Sequence, residues 1–203
     1  MIPSRHVFDE LAKEYDRWFD EHGAVYRLQL HLLRSAVPRS GRGLEVGVGP
    51  GRFAGPLGIL SGIDPARELL RMAKSRGVEV ILGEGEHLPY RPGSFDYVLM
   101  MTVICFVKDP LPLFQEIFRT LAPGGKLIVG FIEREGEIAL QYRQEKTKGR
   151  FLRFARFWSV GEVTGLFGSS GFSPVIIVKR ARGFSIVKGT KPRGTPAGVC
   201  RVS

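Results

Sequence analysis

Residues Leu44 to Gly51 read Leu-Glu-Val-Gly-Val-Gly-Pro-Gly: an apolar strand carrying one carboxylate, Glu45, runs into glycines at alternate positions, Gly47, Gly49 and Gly51. Glycine at every second position forgoes side-chain burial and costs backbone entropy, so this turn implies positive φ and close approach of a ligand to bare backbone. Two further carboxylate positions recur on the same pattern. Gly62-Ile63-Asp64-Pro65 ends a second apolar stretch on Asp64, and Gly83-Glu84-Gly85-Glu86 follows a third. Carboxylates at the C-terminal ends of strands lie where open α/β sheets bind ligands, and there they accept from hydroxyl and amino groups.

The elements that must hold these residues follow from periodicity. Phe8, Leu11, Ala12, Tyr15, Trp18 and Phe19 have the three-and-four spacing of an amphipathic helix, and a second helix is expected over Val25 to Ala36. Strands are expected at Leu44–Val48, Gly58–Ile63, Val78–Leu82, Phe95–Met101 and Lys126–Ile132. Helices are expected at Ala66–Ser75, with Asp64 as cap, and near Leu113–Leu121, stopped by Pro123-Gly124-Gly125. Nearly continuous apolar runs such as Tyr97 to Met101 argue for a parallel sheet buried on both faces. Further on, Gln141–Phe157 reads as a basic helix and Val160–Ser169 as a weaker one. Phe172–Val178 and Gly183–Val187 then read as an antiparallel hairpin turning over Lys179–Arg182.

A chain of 203 residues fits one domain, and 43% apolar with 25% charged residues is ordinary globular composition. The two cysteines, Cys105 and Cys200, form neither a disulfide framework nor a metal-ligand spacing. The N-terminus lacks an apolar leader, and the longest apolar run, Val98 to Val107, is too short to span a bilayer; a cytoplasmic location is expected. The net charge of +10 is unevenly spread: residues 1–142 hold 17 Lys/Arg against 18 Asp/Glu, whereas 143–203 hold 13 against 2. Clustered cations steer anions, so this C-terminal region is either a solvated face or a surface for an anionic partner.

These motifs together resemble the class I, Rossmann-like S-adenosylmethionine-dependent methyltransferases, of the small menaquinone-methyltransferase-like branch, over residues 8–188. Glu45, Gly47, Gly49 and Gly51 match the family's acidic residue and glycine motif, and Asp64 its acidic residue after the second strand. Glu84, Glu86, Leu88, Pro89 and Tyr90 match the third motif; Ser94 to Val98 and Leu121 to Gly125 complete the series. The resemblance implies an α/β fold: a Rossmann-like, mostly parallel seven-stranded sheet with an antiparallel C-terminal hairpin and N-terminal cap helices at about 6–37. Residues 1–188 would form a single domain and 189–203 a flexible tail. It implies S-adenosylmethionine as cofactor, with Asp64 accepting the ribose hydroxyls, Glu84 the adenine amino group and the Gly85 N–H donating to a ring nitrogen. Glu45 would orient the turn and the ligand's ammonium. Tyr15 matches a Tyr-Asp pair that closes over the sulfonium end, although its place on an apolar stripe equally suits the core. A dinucleotide-binding reductase is the competing class, but its third glycine falls one residue later, where this chain has Arg52.

A sulfonium methyl is already an activated electrophile, so alignment and exclusion of water suffice and no residue is assigned as catalytic base; His87 and Tyr15 are candidates only. After the fourth strand Met101-Thr102-Val103-Ile104-Cys105-Phe106 lacks the polar clamp of nucleic-acid amino methyltransferases, and Cys105 lacks the preceding proline of the cytosine-C5 enzymes. Trp18, Thr102, Cys105 and Phe106 are instead expected to wall an apolar acceptor pocket. From Tyr142 to Trp158, Arg143, Lys146, Lys148, Arg150, Arg153 and Arg156 interleave with Phe151, Phe154, Phe157 and Trp158. Phe151, Phe154 and Trp158 at helical spacing would form the buried stripe of a lid, its cations attracting an anionic acceptor such as a carboxylate, a phosphate or RNA. The expected function is methyl transfer to a small-molecule acceptor. RNA or protein methylation through the basic region, or noncatalytic binding of S-adenosylmethionine, are the alternatives. Nothing in the sequence implies a metal or sets the oligomeric state.

Overall fold

A computed structural model of the chain describes residues 4–144 and 150–194. Three helices open it: α1 (Ser4–Glu10), α2 (Ala12–Glu21) and α3 (Gly23–Ala36). There follow β1 (Gly43–Val46), α4 (Ala54–Leu57), β2 (Ser61–Asp64), α5 (Arg67–Ser75), β3 (Glu79–Leu82), β4 (Phe95–Met101), α6 (Pro110–Thr120) and β5 (Leu121–Ile132). The chain then runs through α7 (Glu137–Gln144) and α8 (Val160–Ser169) into the hairpin β6 (Val175–Ala181) and β7 (Phe184–Thr190). The seven strands lie in the order β3-β2-β1-β4-β5-β7-β6; β1 to β5 are parallel, and β7 is antiparallel to both β5 and β6. This is the Rossmann-like arrangement expected. The strand order reverses between β1 and β4, which opens a crevice above their C-terminal ends.

Alternate residues of the central strands enter two cores. Leu44, Val46, Val98 and Met100 pack under α6 and α8 with Phe114, Ile117 and Phe167. Tyr97, Leu99, Met101 and Ile128 pack on the other face with Phe19, Leu33, Leu70 and Ala73 from α2, α3 and α5. Helix starts are locally encoded: Asp109 accepts from the Leu111 N–H (3.2 Å) ahead of Pro110, and Ser159 with Glu162 forms a reciprocal capping box. No helix among the described residues is long and apolar enough to cross a membrane.

Several boundaries differ from the sequence reading for identifiable reasons. The first amphipathic stretch breaks at Leu11 into α1 and α2. α5 starts at Arg67, one turn beyond Asp64, whose carboxylate holds the Ala66 N–H (2.8 Å) instead of capping the helix directly. α6 ends at Thr120 and β5 begins at once, so Pro123-Gly124-Gly125 lies within the strand. The hairpin turns on Arg182 and Gly183, with φ of 48° and 76°, the all-positive pair of a tight two-residue connection. The expected helix over Gln141–Phe157 is not continuous: α7 reaches Gln144, Leu152–Phe154 make one 3-10 turn, and the Arg156 N–H bonds the Cys105 carbonyl (2.8 Å) in place of a helical partner. Lys146 and Lys148 lie outside the described residues. The tail boundary also moves, because Gly189 and Thr190 pair with Leu127 and Lys126 in the sheet, and the Lys191 ammonium holds the carbonyls of Phe118 and Leu121 (both 2.8 Å). Residues 195–203 lie outside the described residues.

Candidate functional site

A cavity of about 510 Å³ fills the crevice above β1, β2 and β4. Its floor is the turn after β1. The Gly47 and Val48 N–H groups both donate to the Ile63 carbonyl (2.8 and 3.1 Å), so the turn is fastened to β2. Gly47 has φ of 70°, and a Cβ there would collide with the Val103 side chain; at Gly49, with φ of 50°, a Cβ would lie in ordinary contact with Tyr15 Cε1 (3.7 Å) and Leu69 Cδ1 (4.0 Å). Gly47 is therefore required by packing and Gly49 leaves backbone bare toward the cavity. Gly51 packs on Ala73 of α5, outside the cavity lining.

Asp64 stands at the tip of β2. Its Oδ2 accepts the Gly49 N–H (2.9 Å) and its Oδ1 the Ala66 N–H (2.8 Å), which leaves each oxygen able to accept once more toward the cavity. Burial pushes its carboxyl up to about 6; the two N–H groups oppose that rise and the charge of Asp9 adds to it. Glu45 is 1% exposed, lies behind the turn rather than in the cavity wall, and leaves Oε2 without a hydrogen-bond partner. Burial raises its carboxyl well above the ordinary range, the Ala54 N–H opposing and the charge of Asp64 adding. Glu84 is exposed at the other end of the cavity, and the adjoining Gly85 is held so close that a Cβ would stand 2.5 Å from Leu113 and 2.8 Å from Val46. His87 is exposed at the rim.

Tyr15, Phe8 and Phe106 close the cavity on the side of α1 and α2. The Phe8 ring meets Tyr15 (5.0 Å between centroids) and Phe106 (5.1 Å) edge-on and stacks on Phe151 (5.3 Å); Tyr15 also meets Phe151 at 5.1 Å. Four rings from separate segments thus make one cover, with Arg150 and Glu14 paired on its outer side at 3.2 Å. Burial, reinforced by the charges of Asp64, Cys105 and Glu45, raises the Tyr15 hydroxyl above its ordinary value.

Of the residues expected around an acceptor, Thr102 and Phe106 line the cavity, whereas Trp18 and Cys105 do not. Trp18 stacks on His22 instead (4.6 Å between centroids). The Cys105 thiol donates to the Thr102 carbonyl (3.0 Å), and burial pushes it up to about 12. Thr102 itself has φ of 54°, a left-handed conformation held by its N–H on the Gly130 carbonyl (2.7 Å) and its hydroxyl on the Met101 carbonyl (2.8 Å). The aromatic stretch after α7 divides its work: Phe151 joins the cover, while the Trp158 indole donates to the Ile104 carbonyl (3.1 Å) inside the α6 core. Arg153 and Arg156 lie over the rings of Phe154 (4.5 Å) and Trp158 (4.0 Å). Phe8 as part of the cover could not be distinguished, in sequence, from any other member of a helical stripe. Among the described residues no group of three or more His, Cys, Asp or Glu is placed to hold a metal.

The sequence matches the methyltransferase domain family over residues 44–129, which spans β1 through most of β5. A protein of Methanocaldococcus jannaschii without assigned function is 40% identical over 170 residues, covering 84% of this chain and 82% of that one. Relatives in Mycobacterium tuberculosis at 38% identity extend further, this chain covering 61% of their length. A demethylmenaquinone methyltransferase of Staphylococcus aureus is 30% identical over 139 residues, 60% of this chain and 57% of that one. Among solved structures, a S-adenosylmethionine-dependent methyltransferase of Thermotoga maritima, described as a possible histamine N-methyltransferase, superimposes with a TM-score of 0.86 at 36% identity. That match covers 92% of this chain and 99% of that one.

Proposed function

The chain belongs to the S-adenosylmethionine-dependent methyltransferases, and from that premise we propose that it transfers a methyl group to a small amine held beneath the Phe8–Tyr15–Phe106 cover. The cofactor supplies, when bound, a methyl group on a positively charged sulfur. The residues present fit such a molecule. Asp64 keeps lone pairs free toward the cavity for two ribose hydroxyls, and Gly49 leaves backbone open for the amino-acid end. Glu84 and the Gly85 N–H are the partners for the adenine edge, and Gly47 holds the turn in shape. Glu45 supports the turn from behind, its unpaired Oε2 the group left to receive the ligand's ammonium through water.

The observation that carries the acceptor class is the charge of the lining. Besides Asp64 and Glu84, which the cofactor would engage, Glu86 and Asp109 line the cavity with Lys108 and no arginine does, so the lining offers no cationic cluster for the anion expected from the basic C-terminal stretch and suits an uncharged acceptor. Two of the described cations of that stretch lie over the rings of Phe154 and Trp158 and a third pairs with Glu14, and none of the three lines the cavity. An uncharged amine or imidazole nitrogen brings its own lone pair to the sulfonium methyl, so the transfer makes no demand on the Tyr15 hydroxyl, which burial holds protonated. The cover excludes water and holds the acceptor in line, which is catalysis by proximity. The likeness to a possible histamine N-methyltransferase supports the same class.

The test is transfer of a labelled methyl group from S-adenosylmethionine into fractionated cell extract. Label should enter basic small molecules. Label in RNA or protein would overturn the acceptor assignment, and binding without transfer to any fraction would favour a noncatalytic role.

A further inference from the structure

Directly after the glycine turn, Arg52 points back to α2. Its Nε donates to Asp16 Oδ1 (2.7 Å) and its Nη2 to Asp16 Oδ2 (3.0 Å), a fork-to-fork pair. The same guanidinium reaches Asp20 through Nη1 and Nη2 (both 2.8 Å). Arg76, at the end of α5, donates through Nη2 to Asp16 Oδ2 (2.9 Å) and through Nη1 to the Pro50 carbonyl in the middle of the turn (2.7 Å). The Tyr26 hydroxyl of α3 donates to the Arg52 carbonyl (2.6 Å). The Asp16 and Arg52 side chains are 19% and 17% exposed, so the pair is shielded from solvent. Burial alone would raise Asp16, but the hydrogen bonds and charges of Arg52 and Arg76 outweigh it and hold the carboxyl below its usual range.

One carboxylate thus holds the turn at two points. Arg52 directly follows the turn, and Arg76 holds the Pro50 carbonyl between Gly49 and Gly51. The neighbour of Asp16 in α2 is Tyr15, whose ring faces Gly49 and carries Phe8 and Phe151. No other described carboxylate bonds guanidinium groups at both places.

We propose that Asp16, Arg52 and Arg76 are positioning residues that couple the cofactor turn to the aromatic cover, so that seating the cofactor on the turn secures α2 over it. The coupling rests on the reading of the cavity as the S-adenosylmethionine site. None of the three residues touches the reacting atoms. They act through the backbone of residues 49–52 on one side and through Tyr15 on the other.

S-adenosylhomocysteine is the probe, read by calorimetry and by hydrogen exchange of the α2 amides. In the unaltered protein the probe should slow exchange across α2. In Asp16→Asn the Kd should rise about tenfold, the equivalent of ~1.4 kcal/mol, and the added protection of α2 should disappear. Arg76→Lys, which keeps the charge but loses the two-pronged reach to Pro50 and Asp16, should show a smaller change in the same direction, and it serves where Asp16→Asn fails to fold. Variants that melt earlier yet keep the Kd within twofold and still gain α2 protection would overturn the coupling and leave only a structural ion pair. If the unaltered protein fails to bind S-adenosylhomocysteine, the cofactor reading itself falls; binding by the unaltered protein with unchanged variants sinks the coupling alone.

Discussion

Asp64 gives the sharpest prediction because its stability and binding effects run in opposite directions with pH. Its carboxyl moves from 3.8 in the unfolded chain to about 6 in the folded one, chiefly through burial. Between those values the folded protein holds a proton that the unfolded chain releases, so the linked stabilisation is complete below pH 3.8 and is lost as pH rises through about 6. At ~1.4 kcal/mol per pH unit, that interval is worth about 3 kcal/mol. Asp64→Asn cannot titrate and carries only a constant offset for its altered contacts with Gly49 and Ala66. Urea unfolding of both ligand-free proteins across this interval should therefore show the stability difference, unaltered minus variant, falling by about 3 kcal/mol toward neutral pH. Binding runs the other way: the ionised form accepts the ribose hydroxyls, so affinity for S-adenosylhomocysteine should weaken below pH ~6, by up to about tenfold per unit. Parallel stability curves for the two proteins would refute the burial argument, and a pH-independent Kd would refute the role of Asp64 as the acceptor for the ribose.

Gly47→Ala forces a Cβ into Val103 at a φ of 70°, so it should cost about 2–4 kcal/mol in chemical unfolding and abolish measurable cofactor binding; a variant with unchanged affinity would contradict the account of the turn. Trp158→Phe removes the indole bond to the Ile104 carbonyl in the α6 core and leaves that oxygen only the longer Val107 N–H (3.4 Å), so it should lower stability by about 0.5–1.5 kcal/mol, measured by urea midpoint, without changing the Kd for S-adenosylhomocysteine. Cys105, buried and pushed up to about 12, should resist thiol-directed alkylation at pH ~8 until the protein is unfolded; labelling at the rate of a free thiol would show that its surroundings open readily.

That Gly47, Gly49, Asp64 and Glu84 would come together at strand ends was legible because each position depends on residues close in sequence. The nearly continuous apolar run Tyr97 to Met101 similarly indicated the two-faced burial of β4. What eluded the sequence were pairings whose partners lie far apart. Arg52 read only as the residue that broke a dinucleotide spacing, yet it meets Asp16 across 36 positions. Phe151, Phe154 and Trp158 have helical spacing, but Phe151 is claimed by Phe8 and Trp158 by the Ile104 carbonyl, and two such separate anchors cannot lie on one helical stripe. The charge excess after residue 142 suggested an anionic acceptor, while the lining of the cavity, drawn from segments scattered over residues 8–113, is mainly apolar, and its acidic and basic groups are Asp64, Glu84, Glu86 and Asp109 against Lys108.

S-adenosylmethionine is expected to sit in the crevice above Gly47, Gly49 and Asp64. Isothermal titration with S-adenosylhomocysteine, run beside NADH and repeated on Asp64→Ala, tests it most directly. Saturable binding of one molecule per chain is expected, with no competition by NADH and an affinity lowered at least tenfold in the variant. No binding, or binding that Asp64→Ala leaves unchanged, would contradict it.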